Sequence, residues 1–186
     1  MRCARAWTCD AGVLRRPGAA VPLPPLVLVL AMLFAGPAAA GIQLRFVDPE
    51  HYSDTDFRSP AVRAGIVADF TAFFARLGAR DLKPGQDLRL EVLDMELAGE
   101  YEPWRRSGWG DVRILRDITP PRFKLRYTLC QKGKVVVAAT ETVTDINYLM
   151  NPSGRGSDRF SFEKAMLEDW FRARFVRLEP PRVLYP

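Results

Sequence analysis

Histidine and cysteine are scarce in this chain of 186 residues, which has one histidine and three cysteines. Because His51 is the only histidine, zinc sites built from several histidine ligands are excluded. A nucleophilic cysteine needs a nearby base, usually histidine, so Cys130 is expected to be an unreactive thiol. A glycine-rich phosphate loop and a Gly-x-Ser-x-Gly nucleophile turn are also missing. These absences predict no catalytic set of the common types and no cofactor.

A long uninterrupted hydrophobic run is missing too. The most apolar stretch, residues 21–34, is interrupted by prolines, whereas a membrane-spanning helix needs about 20 apolar residues. Arg15 and Arg16 precede this stretch, and small residues ending in Ala40 follow it. This order is typical of a secretory signal peptide over residues 1–40, cleaved after Ala40, and an uncleaved N-terminal anchor is the alternative.

The predicted location follows from this segment. No cysteine stands at the cleavage position, so we expect a periplasmic or secreted protein that is not a lipoprotein and has no stable membrane span after cleavage. Residues 1–12 are longer than the basic region of a signal peptide needs, which indicates a true translation start near Val13 or Leu14.

Removal of residues 1–40 changes the charge balance. That segment contains four arginines and one aspartate, so the formal net charge falls from +5 to +2. A nearly neutral domain gives no reason to expect nucleic acid as a partner. Two of the cysteines are also removed, so the mature chain keeps only Cys130 and is not expected to form an internal disulfide. Its own hydrophobic core must therefore hold it together.

Hydrophobic periodicity predicts one domain over residues 41–178, followed by an extended C-terminal tail over residues 179–186. Apolar residues alternate in the predicted strands and recur every three to four residues in the predicted helices. The alternation in the second strand changes phase after Val92, which predicts a β-bulge. The predicted elements are strand 42–47, helix 59–78, strand 87–97, a short strand 111–116, a hairpin of strands 123–130 and 135–144, and helix 161–177. Ser59 is the predicted N-cap and Gly78 the predicted C-cap of the first helix, and Arg172, Arg174 and Arg177 are predicted to favour the C-terminal end of the last helix.

The order of these elements, β-α-β-(β)-β-β-α, predicts the fold class. We expect an α+β fold in which a mixed, mainly antiparallel sheet of four to five strands carries two helices packed on one face. If the first two long strands are neighbours, the helix between them forms a right-handed crossover.

Several short segments together resemble a known bacterial family. They are Phe46-Val47-Asp48-Pro49, Asp94 to Trp104, Asp111-Val112-Arg113, Asp117 to Arg122, Asp145 to Met150, and Phe162 to Phe171. Over residues 42–175 the chain resembles the domain-of-unknown-function family 3016. The resemblance implies an exported protein with a single domain, and it supplies no catalytic residues.

The segment 100–122 is the strongest candidate for a binding surface, because tryptophan and arginine are enriched where proteins bind partners. Glu100, Glu102, Arg113 and Arg116 add charge to it. The alternative is that its tryptophans pin a long loop onto the sheet while its charges pair locally. The predicted binding residues are Trp104, Arg105, Arg106, Trp109, Asp111, Asp117 and Arg122.

Paired carboxylates are a second candidate. Asp94 and Glu96 should share one face of a strand, with Glu100 and Glu102 close by, and a hydrolase could use two such groups as acid and base. Charges on a strand more often mark its solvated face. We therefore expect a periplasmic, non-enzymatic binding or interaction domain for an envelope protein or a cell-wall component. The alternative is a periplasmic hydrolase with paired carboxylates.

A metal site is a third candidate, in the loop 48–59. His51, Asp54 and Asp56 lie there, and carboxylate oxygen is the ligand that hard cations prefer. The calcium-loop pattern is absent, however, so the sequence favours a solvated loop and no metal site.

Overall fold

The computed structural model describes residues 41–102 and 112–181. The predicted signal peptide therefore lies outside the described residues. The described residues form six strands: β1 (Gly41–Phe46), β2 (Gln86–Glu96), β3 (Glu100–Tyr101), β4 (Arg113–Ile114), β5 (Arg122–Gln131) and β6 (Lys134–Thr144). Helix α1 spans Pro60–Asp81, and helix α2 spans Ser161–Phe171 and continues as a π-helical turn over Arg172–Val176.

The predicted α+β fold is confirmed. The main sheet has the strand order β1-β2-β5-β6, in which β1 runs parallel to β2 and the other neighbours are antiparallel. Since β1 and β2 are parallel neighbours, α1 forms the crossover between them. Strands β3 and β4 form a separate two-stranded ladder. No helix within the described residues is long and apolar enough to cross a membrane.

The core lies between one face of the sheet and the two helices. On β5, the alternating residues Phe123, Leu125, Tyr127 and Leu129 are all buried. Phe70 of α1 packs on Phe123 with ring centroids 5.4 Å apart. Trp170 of α2 packs edge-on against Tyr127 at 5.6 Å. Because Phe123 and Tyr127 point to the same side of their strand, both helices cover the same face, as predicted.

The predicted bulge in β2 is present. The pairing of β2 with β5 shifts register between Val92 and Asp94, so that Leu93 is the extra residue. Val92 is buried before the bulge, and Met95 is buried after it. The bulge therefore lets one strand bury both parts of its apolar sequence on the same core.

Helix α1 ends later than the sequence indicates. Gly78 was expected to cap its C-terminus, but the helix runs on to Asp81 and Leu82 is the capping residue. A Cβ atom at Gly78 would lie 3.0 Å from Cγ2 of Ile42, so glycine at this position allows α1 to pack closely on β1. Ser59 occupies the predicted N-cap position without a side-chain capping hydrogen bond.

The loop 48–59 contributes two side chains to the core although most of its residues are exposed, which corrects in part the expectation of a solvated loop. It forms two short 3₁₀ turns, and both Tyr52 and Phe57 are buried. The hydroxyl of Tyr52 donates to the carbonyl of Val92 at 2.7 Å. The sequence of this loop looks polar because its charged residues outnumber the two buried aromatic residues.

Arg174 also differs from expectation. The sequence places it with Arg172 and Arg177 as charges that favour the helix C-terminus. The π-helical turn instead buries Arg174, whose Nε and Nη2 donate to the carboxylate of Glu141 at 2.7 and 2.9 Å. This ion pair joins α2 to β6.

Candidate functional site

The segment 100–122 begins with one strand of a short ladder, and the other strand of that ladder lies within it. Glu100 pairs with Ile114 and Tyr101 pairs with Arg113. The short strand expected near 111–116 is therefore present as β4, and its partner β3 is formed by residues that the sequence alone did not identify as a strand. Residues 103–111 connect the two strands and lie outside the described residues.

A buried ion pair anchors this ladder. Both terminal nitrogens of Arg113 donate to Oδ2 of Asp54, at 3.0 and 2.5 Å. Arg113 also donates to the carbonyl of Gly99 at 2.9 Å, and Asp54 Oδ2 accepts from the backbone N–H of Leu97 at 2.9 Å. Asp54 is 5% exposed. Arg113 thus ties the ladder both to the end of β2 and to the loop after β1.

Tyr101 and Asp56 extend this anchor. The hydroxyl of Tyr101 donates to Asp56 at 3.2 Å, and the guanidinium carbon of Arg113 lies 5.0 Å from the centre of the Tyr101 ring. Burial raises the pKa of Tyr101, and its bond to Asp56 raises that pKa further, so the hydroxyl remains a donor. The first residues of the candidate segment are therefore rigidly held.

Glu163, in the first turn of α2, lies beneath the same region. Its Oε1 accepts from the backbone N–H of Ala98 at 2.9 Å, and the residue is 3% exposed. Burial raises the pKa of this carboxyl above its ordinary value, although the bond from Ala98 favours the charged form. Glu163 joins α2 to the turn between β2 and β3.

Hydrogen bonds to backbone carbonyls hold the C-terminal part of the segment. The N–H of Gly99 donates to the carbonyl of Thr119 at 3.0 Å. The hydroxyl of Tyr148 donates to the carbonyl of Arg116 at 2.7 Å, and that of Thr144 donates to the carbonyl of Pro121 at 2.9 Å. Residues 116–121 are therefore fixed against the loop that follows β6.

Three large apolar side chains project into solvent from these two joined loops. Ile118 is 77% exposed, Ile146 is 68% exposed and Met150 is 75% exposed. Single exposed apolar residues are ordinary on protein surfaces, whereas a contiguous apolar patch marks an interaction surface, and these three residues lie on loops that are hydrogen-bonded to each other. We call these three residues the apolar rim.

The predicted binding residues fall into two groups. Asp117 and Arg122 are exposed on the described part of the segment. Arg122 pairs with Glu96 at 2.5 Å, and both line a shallow cavity of about 240 Å³ that Ile118 also lines. The others, Trp104, Arg105, Arg106, Trp109 and Asp111, lie outside the described residues, so their predicted role stays a prediction.

The carboxylates proposed for hydrolysis have separate partners. Asp94 accepts from the backbone N–H and the hydroxyl of Ser53, at 2.8 and 2.7 Å. Glu96 pairs with Arg122, and Glu102 pairs with Arg116. Glu100 is exposed and lines the 240 Å³ cavity together with Glu96. These contacts position the candidate segment and hold the loop after β1.

The loop considered for a metal ion has other partners. Asp54 bonds to Arg113, whereas His51 is exposed, with its Nδ1 3.8 Å from Glu50. Over residues 41–102 and 112–181, no three or more His, Cys, Asp or Glu side chains are grouped as metal ligands. Cys130 is buried and disulfide-bonded, which corrects the expectation of a free thiol.

Sequence reasoning considered Asp54 only as a metal ligand and did not identify Glu163. The Asx turn at Asp54, whose Oδ1 accepts from the N–H of Asp56 at 2.9 Å, has a local signal in the Asp-x-Asp spacing. Nothing local in the sequence indicates that Asp54 meets Arg113 or that Glu163 meets Ala98, because these partners are far apart along the chain.

A family model described as "Protein of unknown function (DUF3016)" matches residues 40–173. The chain belongs to the DUF3016 family. The resemblance noted in the sequence is thereby confirmed, and the match covers every strand of this DUF3016 domain together with α2. Comparison with curated proteins and with solved structures gives no match.

Proposed function

We propose that this DUF3016 protein is an exported, non-enzymatic interaction domain of the bacterial envelope, and that it binds a protein partner through residues 103–122 together with the apolar rim. The apolar rim carries the proposal. Ile118, Ile146 and Met150 are exposed on loops whose backbones are fixed, so a partner that covers them gains apolar burial without ordering a flexible chain.

The anchoring of the segment supports the same function. The buried pair of Asp54 and Arg113 holds the ladder whose two strands flank residues 103–111 in the sequence. Proteins commonly place binding residues on loops that a rigid scaffold positions. The segment itself contains Trp104, Arg105, Arg106 and Trp109, and tryptophan and arginine are the residue types that contribute most to protein interfaces.

The chemistry of the rim favours a protein over a cell-wall polymer. Isoleucine and methionine bind apolar side chains, whereas sugars are bound by aromatic faces and polar groups. The export of the protein rests on the predicted signal peptide over residues 1–40. Export would place the interaction in the periplasm or outside the cell.

Affinity capture tests the proposal with the full chain carrying a C-terminal tag. The tagged chain is expressed in a bacterial host, and proteins retained from the envelope fraction are compared for Ile118→Asp and for Trp104→Ala/Arg105→Ala. We expect both variants to lose a partner that the unchanged chain retains, by at least about tenfold, because hot-spot residues contribute about 2 kcal/mol or more.

Val62→Asp is the matched control, because Val62 is also exposed but lies in the first turn of α1, where a negative charge is favourable. A partner retained equally by all variants would contradict the proposed surface. The intact mass of the captured chain tests the location at the same time, since removal of residues 1–40 is expected for an exported protein.

A further inference from the structure

The outer edge of β6 is long and poorly protected against pairing. β6 has 11 residues and lies at one end of the sheet order, so one row of its backbone N–H and C=O groups has no partner strand within the described sheet. Such edges are usually blocked by proline, by charged residues or by bulges. Residues 135–140 of β6 contain neither proline nor a charged residue.

The one irregularity lies near the start of the strand. Leu129 pairs with Val137 and Cys130 pairs with Val135, so Val136 is bulged. From Val137 to Thr144 the pairing continues without a break. The opposite edge differs, because β1 has only 6 residues and carries Arg45, which pairs with Glu91 at 3.9 Å. β6 is therefore the edge that can accept another strand.

The two ends of β6 carry opposite charges. At its N-terminal end the hairpin turn presents Lys132 and Lys134, which are exposed and form no ion pair within the described residues. At its C-terminal end a cleft of about 310 Å³ lies between β6 and α2. Asp145 and Asp169 line this cleft, and neither forms an ion pair within the described part of the chain.

The remaining charges at the cleft are already engaged. Glu141 and Arg174 neutralise each other, and Arg177 pairs with Glu179 at 2.6 Å. Val143, Met166 and Trp170 provide an apolar floor between these groups. The cleft is therefore suited to a positively charged side chain with an aliphatic stem, such as lysine.

We propose that β6 pairs antiparallel with β6 of a second copy of this chain. Antiparallel overlap of two identical strands places the hairpin turn of each copy beside the C-terminal end of the other. Lys132 and Lys134 of one copy then face Asp145 and Asp169 of its partner, and the same contact occurs twice. The uncharged middle of the strand pairs with itself, and the two sheets become continuous across the dimer.

This surface adjoins the apolar rim at Ile146, which directly follows Asp145, but the two proposals are tested through different residues. The apolar rim lies on loops tied to residues 116–121, whereas dimer formation uses the outer edge of β6 and the cleft under α2. Each copy would present its own rim, so a partner with two binding sites would bind the dimer more tightly than the monomer. Failure of one proposal therefore leaves the other intact.

Sedimentation velocity tests the dimer. The full chain is expressed and is purified after any processing by the host cell. We expect a monomer–dimer equilibrium over about 1–100 μM, weakened at least about tenfold by either Lys134→Glu or Asp169→Lys, because like charges then face each other twice. The double variant Lys134→Glu/Asp169→Lys restores opposite charges and is expected to recover the dimer. Arg58→Glu, the same charge reversal at an exposed arginine before α1, is the control.

Amide hydrogen exchange of the unchanged chain gives a second readout that needs no variant. Exchange of the outward N–H groups between Val137 and Thr144 is expected to slow as the concentration rises, because they become hydrogen-bonded. A monomer at every concentration would overturn the proposal and would leave the edge to an extended peptide of another protein. A dimer that none of the charge variants alters, or that the double variant fails to recover, would also overturn it.

Discussion

Arg113 is the residue on which the candidate site depends most. It is the counterion of a carboxylate that has almost no contact with water, so its removal would leave Asp54 buried without a cation. We expect Arg113→Ala to lower the free energy of unfolding by about 3 kcal/mol or more. Urea denaturation followed by tryptophan fluorescence measures this loss.

Arg122→Ala is the matched comparison, because Arg122 also pairs with a carboxylate, that of Glu96, but this pair lies at the surface. Its loss is expected to cost less than about 1 kcal/mol. Equal effects of the two substitutions would show that the pair of Asp54 and Arg113 is not the structural anchor described above.

The raised pKa of Glu163 predicts how the stability of the fold changes with pH. Its carboxyl has a raised pKa in the folded protein, so the folded state binds more protons than the unfolded state between the ordinary carboxyl pKa and the raised one. The stability that Glu163 contributes is therefore fully present below the ordinary carboxyl pKa and is lost as pH rises through the raised value.

Glu163→Gln keeps an oxygen that accepts from Ala98 and removes the buried charge. We expect it to raise the free energy of unfolding at pH 7 by on the order of 1 kcal/mol, with the gain disappearing near pH 4. Denaturant titrations at both pH values measure this. Glu50→Gln, the same substitution at an exposed position outside both proposed surfaces, is the control, and a gain of equal size in that variant would contradict the explanation.

At the scale of elements, the ladder of β3 and β4 depends on Gly99. Gly99 has φ of +78°, and a Cβ atom there would lie 2.5 Å from the carbonyl oxygen of Ile114. Gly99→Ala is expected to destabilise the fold by about 2 kcal/mol or more, because it combines backbone strain with a steric clash. Gly85 has φ of +79° with open space around it, so Gly85→Ala isolates the strain alone.

Thermal unfolding of the two glycine variants provides the comparison. Gly85→Ala is expected to cost about 1 kcal/mol, the ordinary penalty of a positive φ for alanine. If Gly99→Ala costs no more than this, the close approach of β4 to the end of β2 does not contribute to stability.

The elements that sequence reasoning predicted correctly are those with a strong local pattern. The alternation of β5 predicts its buried face, and the change of phase in β2 predicts the bulge at Leu93. The helix end predicted at Gly78 was wrong, because glycine is common both at helix C-caps and where two elements pack closely. Only the structure shows that Ile42 lies against Gly78.

The candidate site was less predictable for the same reason. Its exposed members Asp117 and Arg122 belong to a segment that composition alone identifies. Its buried members depend on contacts between distant parts of the chain, as with Asp54 and Arg113. Periodicity reports which face of an element is buried, but it does not report which charged residue meets which other.

At the scale of the whole molecule, two of the buried carboxylates, Glu141 and Glu163, respond to pH in opposite directions. Burial alone would raise the pKa of Glu141, but donors from Arg174, Trp170 and Tyr127 outweigh it and lower that pKa. The contribution of Glu141 is therefore lost as pH falls, whereas that of Glu163 is lost as pH rises. The domain is expected to be most stable between these two limits.

The position of β1 has a consequence for the timing of maturation. β1 begins at Gly41, the residue directly after the predicted cleavage position, and its first pairing partner is Asp87. Proteases act on locally open, extended chain, and a strand already hydrogen-bonded to β2 is closed to them. If the cut follows Ala40, it must therefore come before the first strand docks. In that case β2 and the β5–β6 hairpin can assemble while residues 1–40 are still attached, and β1 is the last strand to pair.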